Sequence, residues 1–141
     1  MEKQISYSFA KISLEQFAIF EENYDQNQSQ IEFQTQLQFS FDHEQNVICN
    51  SIVLSINQNQ KAVLKAEQRS YFEINNDSID ILRNEQGKIE FSPQLLVQFA
   101  SLNYGSMRGS IHIKTLGSPI NRFILPPIYF NKMIEIGFVV E

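Results

Sequence analysis

Residues 92–117 read SPQLLVQFASLNYGSMRGSIHIKTLG, a stretch that opens and closes with the signals of one long helix. Ser92 offers a short hydroxyl that can accept a hydrogen bond from the first turn, and Pro93 follows where a missing N–H costs nothing. At the far end Gly117 suits a left-handed cap, and Pro119 prevents continuation. Between these ends Leu95, Phe99, Leu102, Ser106, Gly109, Ile113 and Leu116 recur at alternating spacings of four and three, which places them on one stripe. Gly105 and Gly109 each weaken a helix interior by about 1 kcal/mol relative to Ala, so they ask for a packing reason such as a second backbone lying close. Ser110 to Leu116 is rich enough in β-branched residues that a strand is the alternative there.

Upstream, residues 31–41 alternate without a break. Ile31, Phe33, Thr35, Leu37, Phe39 and Phe41 fall on one face, with Glu32, Gln34, Gln36, Gln38 and Ser40 on the other, as in a half-buried antiparallel strand. A turn at residues 42–46 leads to a second strand with Ile48, Ile52, Leu54 and Ile56 on one face. A turn at 57–60 then leads to a third, over 61–74, with Ala62, Leu64, Ala66, Phe72 and Ile74 together. Residues 75–87 carry Asn, Asp and Gly breakers around Ile79, Ile81 and Leu82 and read as a connector or a short fourth strand. The arm from Ile5 to Phe20 is apolar but too irregular to assign to strand or helix, and the polar run 21–30 reads as a loop. The fold class expected is α+β, an antiparallel meander of about four strands packed on one long helix, with residues 1–141 forming one domain.

With 141 residues and 43% hydrophobic content, the chain can bury a core without disulfides or metals. A net charge of -5 supplies no basic patch dense enough for nucleic acid or an anionic membrane surface. A lone Cys49, two distant histidines (His43 and His112), and the lack of an apolar leader or spanning segment point to a soluble cytoplasmic protein in a reducing compartment.

No nucleophile elbow, phosphate loop, metal-ligand spacing or dinucleotide fingerprint is present. Gly105 and Gly109 lack the preceding strand and third glycine of a phosphate cradle. His112 has no acid, Ser or Cys nearby in sequence to form a relay, and Cys49, alternating with Ser51 and Val53, reads as a small packed thiol. Two features remain. The helix stripe suits helix against sheet and equally helix against helix between subunits, and self-association is the preferred reading. The apolar surplus of residues 9–20 and 124–140 is core, or lines a groove for apolar clients.

The order of these parts, together with Ser92-Pro93, Leu95-Leu96, Tyr104-Gly105, Met107-Arg108-Gly109 and residues 125–130 (LPPIYF), resembles the SecB family of protein-export chaperones, in particular its divergent SecB-like members. Leu125, Pro127 and Phe130 stand where that family has its Leu-x-Pro-x-x-Phe segment. The match is best over residues 91–133 and extends over 31–74 only as a strand pattern. The resemblance implies an α+β protomer that forms dimers and then a tetramer through its long helices. It also implies an ATP-independent holdase for unfolded precursor polypeptides in protein export, with no cofactor, metal or catalytic residue; some members attend toxin–antitoxin pairs. On family position and apolar type, the expected client-binding residues are Phe9, Leu14, Phe17, Phe20, Ile128 and Phe130. The expected oligomer interface is Phe99, Leu102, Gly105, Ser106, Gly109 and Ile113.

Two departures accompany the resemblance. Residues 134–140 are β-branched and include Gly137, which favours a strand or extended tail over the family's second helix. The acidic sheet surface that would dock the SecA motor is sparse, with Glu32, Glu67 and Glu73 separated by Gln, Lys65 and Arg69. Alternatives to the holdase are a dedicated interaction protein for one partner, such as an antitoxin, and a small α+β enzyme or ligand-binding domain.

Overall fold

The computed structural model describes residues 4–28 and 30–141. Its long strands are β1 (Tyr7–Ile19), β2 (Glu32–Asp42), β3 (Val47–Gln58) and β4 (Lys61–Ile74), followed by a one-turn helix α1 (Asn76–Ile79) and a 3-10 turn (Asp80–Leu82). A two-residue strand β5 (Glu90–Phe91) leads into the long helix α2 (Pro93–Lys114), and β6 (Phe138–Val139) pairs with β5 near the chain's end. The four long strands form one antiparallel sheet in the order β1-β4-β3-β2. Strands β2, β3 and β4 are the expected meander, while the fourth strand is the amino-terminal arm, returned beside β4 in Greek-key fashion. The connector 75–87 supplies a helical turn rather than a strand.

The irregular arm becomes a strand through two bulges. Its register against β4 shifts between Phe9 and Lys11 and again between Leu14 and Gln16. Each shift inserts one extra residue and resets the period of two, so that Tyr7, Phe9, Ile12, Leu14, Phe17 and Ile19 all share the face of β4 that carries Phe72, Ala66 and Leu64. The β3–β4 hairpin closes on Asn59 and Gln60, both with positive φ, as a two-residue turn matching the twist of the strands requires. Gln58, buried at its base, accepts from the Asp25 N–H and donates to the carbonyls of Asp25 and Gln28, fastening the β1–β2 loop.

Helix α2 starts and stops close to where its sequence says. The Ser92 hydroxyl accepts from the Leu95 N–H, and Thr115 caps the other end with its hydroxyl on the Ile111 carbonyl. Ser110 to Lys114 is helical, and Gly117 takes the left-handed conformation just beyond. The face turned to the sheet is Leu96, Phe99, Ala100, Asn103, Tyr104, Met107 and Ile111. Phe99 stacks on Phe72 with ring centroids 4.5 Å apart. At the centre of this apolar contact lies a polar cluster. The buried Asn103 amide donates to the Asn50 carbonyl (3.0 Å), Asn50 Oδ1 (2.9 Å) and the Gln68 carbonyl (3.2 Å), and accepts from the Ser70 hydroxyl (2.6 Å).

After α2 the chain folds back on the β2 side. Leu125 and Phe130 are buried, Phe130 packs edge-to-face on Tyr104 at 5.7 Å, and the Tyr104 hydroxyl donates to the Pro126 carbonyl. No second helix follows; a short 3-10 turn at Phe130–Lys132 precedes β6, in keeping with the extended tail expected from residues 134–140. A Cβ at Gly137 would stand 2.5 Å from the Phe91 carbonyl oxygen, so only glycine lets the tail approach β5 this closely.

Candidate functional site: an apolar trough beside helix α2

The helix covers β3 and β4 and leaves β1 largely open. On its inner face Phe9 and Ile12 remain 46% and 47% exposed, while Leu14 and Phe17 are half-buried. Above this floor stands one flank of α2. Tyr7 meets Phe99 edge-to-face at 4.9 Å, which puts the Phe99 side of the helix over β1, whereas Tyr104 faces the tail. Stepping from Phe99 by threes and fours gives Leu102, Ser106, Gly109 and Ile113, so the stripe picked out in the sequence is the wall of this trough. Leu102 is 39% exposed and Ile113 64%. At its end near Ile5 and Tyr7, the trough opens into a cleft of about 840 Å³ bordered by Leu95 and Leu82.

The structure sorts the expected site residues into three groups. Leu102, Gly105, Ser106, Gly109 and Ile113 lie at or near the surface, and a Cβ placed on either glycine would meet no other atom within 4 Å. The packing reason these glycines ask for is therefore not inside the protomer. Phe99 is fully buried against Phe72, so its assignment to the subunit interface is corrected: it belongs to the protomer core. Phe9, Leu14 and Phe17 share the trough floor, with Phe20 just past the end of β1.

Ile128 and Phe130 sit across the helix in the tail and do not join that floor. Phe130, 1% exposed, is likewise corrected from client contact to core. Reading the sequence missed Ile12, because the bulges hide its periodicity. The half-buried apolar row Phe33, Leu37, Phe39 and Phe41 along β2 is legible in the sequence as one face of a strand, but its alternation reads equally as a covered face and marks no site.

Hydrogen bonds from Ser51 and Arg69 hold the Glu67 carboxyl below the usual carboxylate range, and Arg69 lies 2.8 Å from it. Burial pushes the Cys49 thiol up, which favours the unreactive protonated form. Burial also raises Tyr104. Among the described residues no three His, Cys, Asp or Glu side chains converge to hold a metal, and no helix is long and apolar enough to cross a membrane.

With this geometry in view, comparison with known proteins is informative at the level of structure alone. No family model and no curated protein matches the sequence. Among solved structures, the chain is similar to a Mycobacterium tuberculosis SecB-like chaperone, Rv1957, in complex with a ChAD peptide from the HigA1 antitoxin. The match covers 86% of this chain and 90% of that one, with a TM-score of 0.58 and 12% identity. The fold is SecB-like. At that identity the likeness reaches the architecture: a four-stranded antiparallel sheet carrying one long helix, the α+β class expected from the sequence. A SecB-like frame in which α2 lies to one side of β1 is what creates the trough.

Proposed function

We propose that this protein is an ATP-independent holdase that shields apolar segments of unfolded or extended polypeptides, in the manner of a protein-export chaperone, and that it works as a homo-oligomer. The observation that carries the reading is the uncovered apolar floor of β1 beneath the exposed flank of α2. Phe9 and Ile12 are each about half exposed, and covering the remaining surface of one such side chain contributes about 1 kcal/mol. A client gains affinity by summing several contacts of this size rather than by filling one deep pocket. A partner helix seated against Gly105 and Gly109 completes the opposite wall, turning the trough into a groove over Phe9, Ile12, Leu14 and Phe17. Dimers formed this way, or dimers of dimers, are the assembly proposed.

Delivery to a motor such as SecA is a separate matter. Of Glu32, Glu67 and Glu73 on the outer sheet face, Glu67 is bound by Ser51 and Arg69, so Glu32 and Glu73 are the two of these open to docking. The reading therefore centres on holding clients. A second reading, a dedicated binder of one partner such as an antitoxin, is favoured by the antitoxin peptide with which the similar SecB-like chaperone is in complex.

The test is suppression of aggregation of an unfolded test protein, followed by light scattering without nucleotide at near-stoichiometric ratio. Wild-type protein is expected to suppress scattering, and Phe9→Asp with Ile12→Asp, both at exposed positions, to lose most of that effect while keeping the fold by circular dichroism. Unchanged scattering with wild type in excess rejects the general holdase. A pull-down dominated by a single protein then selects the dedicated binder.

A further inference from the structure

We propose that the surface formed by the C-terminal end of α2 and residues 118–133 is a peripheral contact for an anionic lipid membrane. This contact is separate from the trough and does not depend on the holding of clients. The net charge of -5 averages over two unlike parts of the chain. Residues 91–134 hold four of the 11 Lys and Arg (Arg108, Lys114, Arg122 and Lys132) and none of the 16 Asp and Glu. A cationic stretch thus sits on an otherwise acidic protein, and the total conceals it. Among the described residues, none of these four cations is in a salt bridge.

The fold gathers the cations around exposed apolar tips. After α2 the chain is anchored by Ile120, Leu125 and Phe130, all buried, and most of the residues between these anchors are turned outward. Ile124 and Tyr129 are 78% and 68% exposed, and Leu116 and Met133, before and after them in the chain, are exposed as well. Tyr104 ties helix and tail together: Arg108 lies over its ring at 6.0 Å, its hydroxyl holds the Pro126 carbonyl, and Phe130 packs on it. The Asn121 amide donates to the His112 carbonyl at 3.0 Å, which folds the segment after α2 onto the helix end that carries Lys114. Lys132 lies over the Tyr129 ring at 5.9 Å. Arg122 donates to the Tyr24 hydroxyl, on the loop that carries Glu21 and Asp25, and so marks one border of the surface; Glu135 marks the other.

Charge complementarity selects an anionic occupant, and the apolar tips select which one. A run of nucleic-acid phosphates needs a denser array of cations than Arg108, Lys114 and Lys132 provide, and it offers nothing to Leu116, Ile124 and Met133. At a bilayer surface, by contrast, apolar tips enter the boundary between headgroups and acyl chains while Lys and Arg stay at the phosphates on their flexible stems. Tyr129 has the amphipathic ring that sits at that depth. The acidic remainder of the protein is repelled by such a membrane, which turns this surface toward it.

The experiment is flotation of the full chain with vesicles of phosphatidylcholine alone, and of phosphatidylcholine and phosphatidylglycerol at a ratio of about 3:2. Binding is expected to the anionic vesicles only, falling at least about tenfold between about 0.05 and 0.5 M salt. Lys114→Glu with Lys132→Glu should weaken it at least about tenfold, whereas Lys114→Arg with Lys132→Arg should preserve it. Ile124→Ser with Tyr129→Ser leaves the charge unchanged and should also lower binding severalfold. All four positions are exposed, and circular dichroism checks that each variant keeps its fold. Phe9→Ser with Ile12→Ser, in the trough, should leave vesicle binding unchanged.

Equal binding to neutral and anionic vesicles, or binding to neither, overturns the proposal. So does charge reversal without effect. Loss of vesicle binding in the trough variant overturns it by assigning the lipid contact to β1. Tighter binding to a single-stranded oligonucleotide that displaces the vesicles overturns it in favour of nucleic acid.

Discussion

The two glycines of α2 give the sharpest test of self-association. Neither Gly105 nor Gly109 has a neighbour within 4 Å of the place a methyl group would occupy, and both are exposed. Inside the protomer they cost helix stability and return nothing. Each Gly→Ala change should therefore stabilise the isolated protomer by the propensity difference, about 0.8–1 kcal/mol, and the pair by about 2 kcal/mol. They are four residues apart, but two methyl groups at that spacing interact only weakly, so their effects add to a first approximation. For a chain of 141 residues this raises Tm by about 6–8 °C.

The assay is urea and thermal denaturation by circular dichroism at low concentration, with mass measured by light scattering, because an assembled protein's stability depends on concentration. If a second helix seats on the glycines, a larger side chain does the opposite at assembly concentrations. Gly109→Leu should return the mass to 16.4 kDa while the protomer stays folded. An assembly whose mass Gly109→Leu leaves unchanged refutes the stripe as the subunit contact. A double Ala variant that is destabilised as a monomer refutes the account of the glycines altogether.

Two further predictions concern the protomer. Asn103→Ala should cost about 2–4 kcal/mol in urea unfolding, because it orphans buried groups of Asn50, Gln68 and Ser70 at once. Ser70→Ala should cost far less in that background than alone, and additive losses would show that the cluster does not act as a unit. The lowered Glu67 carboxyl makes the folded state bind that proton less readily than the unfolded chain. Its stabilisation is complete above the unfolded carboxylate range and is lost as pH falls through the lowered folded value. Glu67→Gln should destabilise at neutral pH and hardly at acid pH, and an equal loss at both would exclude the linkage.

How far the fold can be read from the sequence varies with the regularity of each element. Strand β2 pairs without a shift, so its alternation is plain in the chain. In β1 the bulges at Ala10 and Glu15 break the period twice, and counting by twos loses the strand although its large apolar residues Tyr7, Phe9, Ile12, Leu14, Phe17 and Ile19 reach the same face. The caps of α2 are local chemistry and are legible. Its orientation is not, because the sheet-facing row has Asn103 at its centre, and a row interrupted by an amide side chain looks less like core than the stripe beside it, whose centre holds only the small Ser106 and Gly109. That choice of stripe is why Phe99 is read as an interface residue and why Gly105 and Gly109 call for a partner. For the trough, the sequence supplies Phe9, Leu14 and Phe17 but not Ile12, and it cannot separate Phe130, whose burial depends on Tyr104 a full segment away.

The same asparagine explains why the exposed flank of the helix is the one that carries the glycines. By apolar content the two faces of α2 compete: Leu96, Phe99, Ala100, Tyr104, Met107 and Ile111 against Leu95, Phe99, Leu102 and Ile113. Hydrophobic burial, being non-directional, chooses weakly between them. The inner sheet face, however, presents Asn50, Gln68 and Ser70, all buried. If α2 turned its stripe inward, Asn50 Oδ1 and the Ser70 hydroxyl would face Leu102 and Gly109 without the partner that Asn103 supplies, at about 1–3 kcal/mol for each polar group left unpaired. With Asn103 inward, the carbonyls of Asn50 and Gln68, Asn50 Oδ1 and the Ser70 hydroxyl are all engaged. A polar cluster in the core thus fixes the rotation of the helix, and by fixing it keeps Leu102, Gly105, Gly109 and Ile113 outside, over β1, where the trough is.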